Sequence, residues 1–135
     1  MRLAVPLCLC GPCLLLLCAG FFLAGCQRTT APQTDVSIEH EIAPDPPRVG
    51  TATVTLRAAD ASGRPLSGAR VHLEANMTHA GMRPVLAEAR ETGAGRYQSE
   101  LEFTMGGDWV VFVRLTLPDG QKVEREFDVK GVKSD

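Results

Sequence analysis

The stretch "RYQSELEF", Arg96 to Phe103, sets Tyr97, Leu101 and Phe103 against Gln98, Glu100 and Glu102 in strict alternation. A helix of period 3.6 would scatter these apolar residues around its axis. A strand lays them on one face, so the segment is a half-buried strand. The same period recurs along the chain and excludes most folds other than β-layers. It predicts a strand near Asp35 to Ile42, with Val36, Ile38 and Ile42 on one face. In a second, Thr51 to Ala59, Ala52, Val54, Leu56 and Ala58 alternate with Thr53, Thr55 and Arg57. Ala69 to Asn76 is the third, with Val71, Leu73 and Ala75 opposed to His72 and Glu74. The fourth is Val85 to Thr92, and Arg96 to Phe103 is the fifth. The sixth, Trp109 to Leu117, is apolar on nearly both faces, as a central strand is. Lys122 to Val129 is the seventh. "DASGRPLSG", "GAG", "TMGGD" and "PDG" separate these runs with residues that preset or tolerate turn geometry. About seven short antiparallel strands in roughly a hundred residues predict an all-β, immunoglobulin-like sandwich. In the fourth element, "RPVLAEARE", Ala and Glu are poor strand formers, and a helix is an open alternative there.

The N-terminus reads differently. After Arg2 the chain is uncharged from Leu3 to Gly25 and stops at "LAGC", Leu23 to Cys26. A basic start, an apolar run and small residues before a break mark an export signal. The final four letters resemble the lipobox of bacterial lipoproteins. That resemblance implies a cleaved signal peptide over 1–25, fatty-acyl (palmitate-type) chains on Cys26, a tether over 26–34 and a sandwich domain over 35–135. The alternative is an uncleaved anchor, since the run is long enough to span a bilayer. Either way the domain is expected outside the cytoplasm. Gln27, in place of an Asp, favours the outer over the inner membrane, with the domain facing the periplasm.

Four of the 5 Cys (Cys8, Cys10, Cys13, Cys18) lie in that leader, and the fifth is Cys26. "CGPC" at Cys10 to Cys13 spells a redox motif but lacks the strand and helix N-terminus that would activate it. Acylation of Cys26 would leave about 110 residues without a thiol, so stability must come from a core alone. Arg2 is the only charge of the leader. The remainder therefore carries one fewer than the 14 Lys and Arg against all 16 Asp and Glu, no basic footprint for nucleic acid. No nucleophile elbow, zinc-protease motif or paired acids in a recognised context stand in the sequence, which speaks against an enzyme.

One cluster carries chemistry. The chain holds only 4 Met and 3 His, yet "ANMTHAGMRP", Ala75 to Pro84, contains Met77, His79 and Met82. In a sandwich, alternate loops share a pole. The loops after strands one, three and five then gather Met77, His79, Met82 and Met105, with His40 near the end of strand one and Trp109 at the start of strand six. Thioether sulfur is soft and neutral, which suits Cu(I) and discriminates against Zn(II), Mg(II) and Ca(II). An imidazole adds a stronger donor, and Trp109 can lie over such an ion. Met is equally a flexible filler of cores, and His79 can simply solvate its loop. Both readings stay open at this point. His40 shares the register of Val36 and Ile38 and reads as a half-buried histidine. His72 lies on the polar face, near the opposite pole. "EREFD" around Glu124 is the solvated face of an edge strand, and "NMT" at Asn76 fits a glycosylation acceptor that a bacterial lipoprotein does not use.

From about Pro44 to Val129 the order of "PDPPRVG", "GRPLSGARVHLEA", the Met and His loop and "GAGRYQSELEFTMGGDWVVFV" resembles the YtkA-like domain, whose relatives include FixH. The most specific piece lies between Gly95 and Trp109. The resemblance implies an extracytoplasmic sandwich, some of whose relatives are associated with copper delivery, oxidase assembly or metal efflux. FixH itself carries a transmembrane helix where this chain has a lipoprotein-like leader. The functions expected are a lipid-anchored envelope module handling Cu(I), or a metal-free module docking onto an envelope complex.

Overall fold

Alternation decides the strands one by one. The computed structural model describes residues 35–134 and contains β1 (Ser37–Ala43), β2 (Gly50–Ala59), β3 (Arg70–Met77), β4 (Val85–Gly93), β5 (Arg96–Phe103), β6 (Gly107–Thr116) and β7 (Lys122–Val132). No helix occurs among the described residues. The leader, Cys26 and the tether lie outside them. All six ladders are antiparallel, and the strand order is β1-β2-β5-β4-β3-β6-β7. The expected seven-stranded antiparallel sandwich is the one observed.

The ladder is continuous because β4 serves both layers. Val85 to Ala89 pairs with β3, while Arg90 to Gly93 pairs with β5, with an irregularity between Glu91 and Gly93. A strand that changes sheets at a bulge makes such a corner. This also explains why a helix does not form in "RPVLAEARE". Val85, Ala87 and Ala89 pack against the core while Leu86, Glu88 and Arg90 point out, and ladder partners on both sides outweigh weak intrinsic preference. Past the corner β4 and β5 diverge, and Ser99 Oγ reaches across the neck to donate to the Glu88 carbonyl at 3.0 Å.

The inward faces meet in one core. Val54, Leu56, Tyr97, Leu101 and Phe103 come from one layer; Val71, Leu73, Trp109, Val111, Val113 and Leu115 come from the other. Phe103 and Trp109 join the layers edge to face, with centroids 5.4 Å apart and planes at 64°. At the open side, β1 and β7 approach without a ladder. There His40 stacks on Phe127 at 3.9 Å, and Arg125 Nη2 donates to the Val36 carbonyl at 3.1 Å. Partial burial against that ring pulls the His40 imidazole below its ordinary pKa. His40 stands opposite Leu56 in mid-strand, not near the end of β1 as expected, because β1 continues to Ala43. It therefore does not belong to the methionine pole.

Candidate functional site at the methionine pole

Reversal of direction along the ladders sorts the loops into two ends. Gly50 opposite Phe103 and Met77 opposite Trp109 bring residues 44–49, 78–84 and 104–106 to one pole. The chain's last described residues join them, through Val49 N–H donating to Lys133 O and Lys133 N–H to Pro47 O, both at 2.9 Å.

The pole is braced from below. Trp109 is fully buried, and its indole Nε1–H donates to the Met105 carbonyl at 3.1 Å. That bond fixes the backbone of the β5–β6 turn directly over the core. The Thr78 amide and hydroxyl both donate to the Asp108 carbonyl, at 3.1 and 3.2 Å, tying the start of the β3–β4 loop to the same turn. Asp108 Oδ1 in turn accepts from Gly131 N–H at 2.9 Å. Gly107 has φ +128°, and a Cβ built there would come within 3.0 Å of the Met77 methyl. The positive φ favours glycine here, and a Cβ would require the Met77 methyl to shift.

The four expected donors all reach this pole, in different states. Met77 is half-buried and packs on the core. Met82 and Met105 are 39% and 48% exposed, and His79 is exposed. The side chains of His79, Met82 and Arg83 have no hydrogen bond or ion pair among the described residues. Met105 lines an open groove of about 670 Å³ with Val49, Thr104, Gly106, Gly107, Val132, Lys133 and Ser134. Trp109 lies beneath this surface and is not presented over it. Among the described residues no three His, Cys, Asp or Glu converge to hold a metal ion. The soft donors at this pole are the three thioethers, and His79 is its imidazole.

The opposite pole is closed by hydrogen bonds. The Tyr97 hydroxyl donates to the Leu66 carbonyl at 2.7 Å and accepts from Ala69 N–H at 3.0 Å. Burial pushes this phenol above its usual pKa. Glu91 accepts from Gly68 N–H at 2.9 Å and Gly95 N–H at 3.3 Å, and the Gly68 bond is the main reason its carboxyl is held low. Asp60 takes the Ser62 hydroxyl, the Ser62 and Arg64 amides and the Arg64 guanidinium; the Ser62 hydroxyl contributes most to lowering its pKa to about 2.

Residues 30–114 match the family model described as YtkA-like. The chain belongs to the YtkA-like family. The match starts before β1 and stops within β6, so β7 lies outside it. No curated protein matches. Among solved structures, the soluble domain of PmoD from Methylocystis sp. (strain Rockwell) is 15% identical, covering 73% of this chain and 91% of that one with a TM-score of 0.46. Murine CRIg is 12% identical, covering 73% and 98%, with a TM-score of 0.40.

Proposed function

We propose that this chain is a non-catalytic, lipid-anchored module of the cell envelope that handles Cu(I) at the methionine pole, through Met77, Met82, Met105 and His79. The observation carrying this reading is that Met82 and Met105 stand partly exposed on a braced pole, with His79 exposed in the same loop as Met82. Fully burying a Met side chain contributes roughly 1.5–3 kcal/mol, and the exposed part of Met82 and Met105 forgoes a fraction of that. Soft, neutral donors suit a monovalent soft ion where free thiols would oxidise. The anchor follows from "LAGC" and Cys26, and membrane attachment through several acyl chains is stable where one chain is marginal.

Competition with a chromophoric Cu(I) chelator tests the metal reading, with Zn(II) as the control. Cu(I) should be withdrawn from the chelator and Zn(II) should not, because zinc prefers thiolate, imidazole and carboxylate. Equal retention of both ions by the chelator would end it. Membrane fractionation of Cys26→Ala tests the anchor independently: the variant should be released, whereas unchanged fractionation would point to an uncleaved helix.

A second reading has its own observation. Leu86 is 71% exposed and stands at the cleft where β4 and β5 diverge, beside Ala87, Glu88, Ser99 and Glu100. Two diverging strands with incomplete ladders suit addition of an extended segment from a partner protein. Leu86→Asp would abolish such docking and leave Cu(I) binding unchanged.

A further inference from the structure

The pole opposite the methionines is the one the chain enters from its N-terminus, since Ser37 pairs with Ala59 next to the 60–69 loop. Its charges are arranged unevenly. Its carboxylates are largely turned inward to loop amides: Asp60 and Glu91 as described, and Asp119 to Gln121 N–H at 2.9 Å. Its cations are left outside. Arg57 and Arg96 stand directly opposite each other in the β2–β5 ladder, both exposed, and like charges in that position are destabilising. On the other layer Arg70 and Lys122 both flank Thr116 in register. None of these four makes an ion pair among the described residues. Arg64, paired with Asp60, still exposes 81% of its side chain. An open groove of about 490 Å³ lies between Arg57 and Arg96, lined also by Ser37, Glu39, Gly63 and Pro65. The side chains of Asp35 and Glu39 are exposed at this end without a hydrogen bond among the described residues, Glu39 directly opposite Arg57 in the β1–β2 ladder; Glu91 and Asp119 are exposed as well.

We propose that this arginine-rich pole is a binding surface for anionic phospholipid headgroups, seating the domain on the membrane with the methionine pole turned away from it. The proposal rests on the anchored reading above. The strand adjoining that anchor begins at this pole, and from Cys26 to Ser37 the backbone spans at most roughly 40 Å. The domain is thereby held within reach of the lipid surface, though the tether alone does not set its orientation. Headgroup phosphates relieve the Arg57–Arg96 repulsion and accept from guanidinium forks. Each such cation near an anionic surface contributes about 1 kcal/mol.

The full acylated chain, reconstituted into vesicles of phosphatidylglycerol with phosphatidylcholine or of phosphatidylcholine alone, provides the test. Hydrogen exchange should slow severalfold in residues 60–69 and 93–96 on the anionic vesicles only, and stay unchanged in 78–84. High salt should remove the effect. Each substitution of Arg57→Gln or Arg96→Gln should cut the protected population roughly fivefold, the factor to which about 1 kcal/mol converts. Identical exchange on both lipids, or slowing at 78–84, would overturn the proposal. So would the same slowing by inorganic phosphate without vesicles, which would make this a site for a free anion. Flotation reads the anchor separately. A chain that floats on both lipids with identical exchange defeats only this proposal, and one that floats on neither defeats both.

Discussion

The two ends of the sandwich are built from opposite materials. One end is sewn shut: Tyr97 spans two backbone groups, Glu91 clamps two glycine amides, and Asp60 gathers its own loop. A Cβ at Gly95 would meet the Ala58 carbonyl and Pro65 at 2.7 Å, so that end has no slack even for a methyl group. The other end is braced at its base by Trp109 and Thr78 and at its side by the Val49, Pro47 and Lys133 backbone, and above these ties it exposes Met82, Met105 and His79. Directional bonds fix a shape, whereas thioethers offer soft donors and little geometry of their own. The division separates an end fixed by directional bonds from an end that presents soft donors to solvent.

The comparison breaks most severely at Trp109, the largest fully buried side chain, which supports the methionine pole from within the core. Trp109→Ala should cost about 3–5 kcal/mol by denaturant unfolding, since it removes a fully buried ring and the indole bond to Met105. A loss below about 1 kcal/mol would mean that the pole does not rest on the core.

Tyr97→Phe probes the closed end. It keeps the ring and deletes the hydroxyl, leaving the Leu66 carbonyl and the Ala69 amide without that partner, and should cost about 1–3 kcal/mol. No effect would mean that water replaces the hydroxyl and that the pole is less closed than described.

Acid should distinguish the ends next. Asp60 is lowered on folding to about 2, so its contribution is fully present above an unfolded value of about 3.9 and is lost as pH falls through about 2. Glu91, lowered in the same direction, adds to the same acid limb. The melting temperature of Asp60→Asn should lie below that of the native chain at pH 5, and the gap should shrink towards pH 2. A constant gap would assign the effect to lost loop geometry alone. The Asp60 side chain is only 17% exposed, but its loop lies at the surface, where solvent screening keeps the shift small.

How much of this was legible from residues follows the same division. Alternation in "RYQSELEF" and "TATVTLRA" gave strand faces that the burial of Tyr97, Leu101, Val54 and Leu56 matches. Loop reversal placed the loops that carry Met77, His79, Met82 and Met105 at one end, as the ladders do. What failed needed contacts distant in sequence. Nothing in "AEARE" marks a strand that changes partners at Arg90, because register depends on β3 and β5. The Tyr97 bonds span 28 and 31 positions, and Thr78 meets Asp108 across 30. His40 was misplaced because a strand end is decided by its partner, here β2, and not by the strand's own composition.

The central claim is that Cu(I) binds at the soft pole and not at the sewn one. The most direct measurement is Cu(I) competition on the native chain, the Met77→Leu/Met82→Leu double variant and Asp60→Asn, with unfolding free energies determined in parallel. Leu nearly conserves volume, so the double variant should lose less than about 1.5 kcal/mol of stability. The account predicts that its Cu(I) affinity nevertheless falls well below that of the native chain, while Asp60→Asn keeps native affinity. Native Cu(I) affinity in the Leu double variant would contradict it, and would leave the exposed methionines as loop and packing.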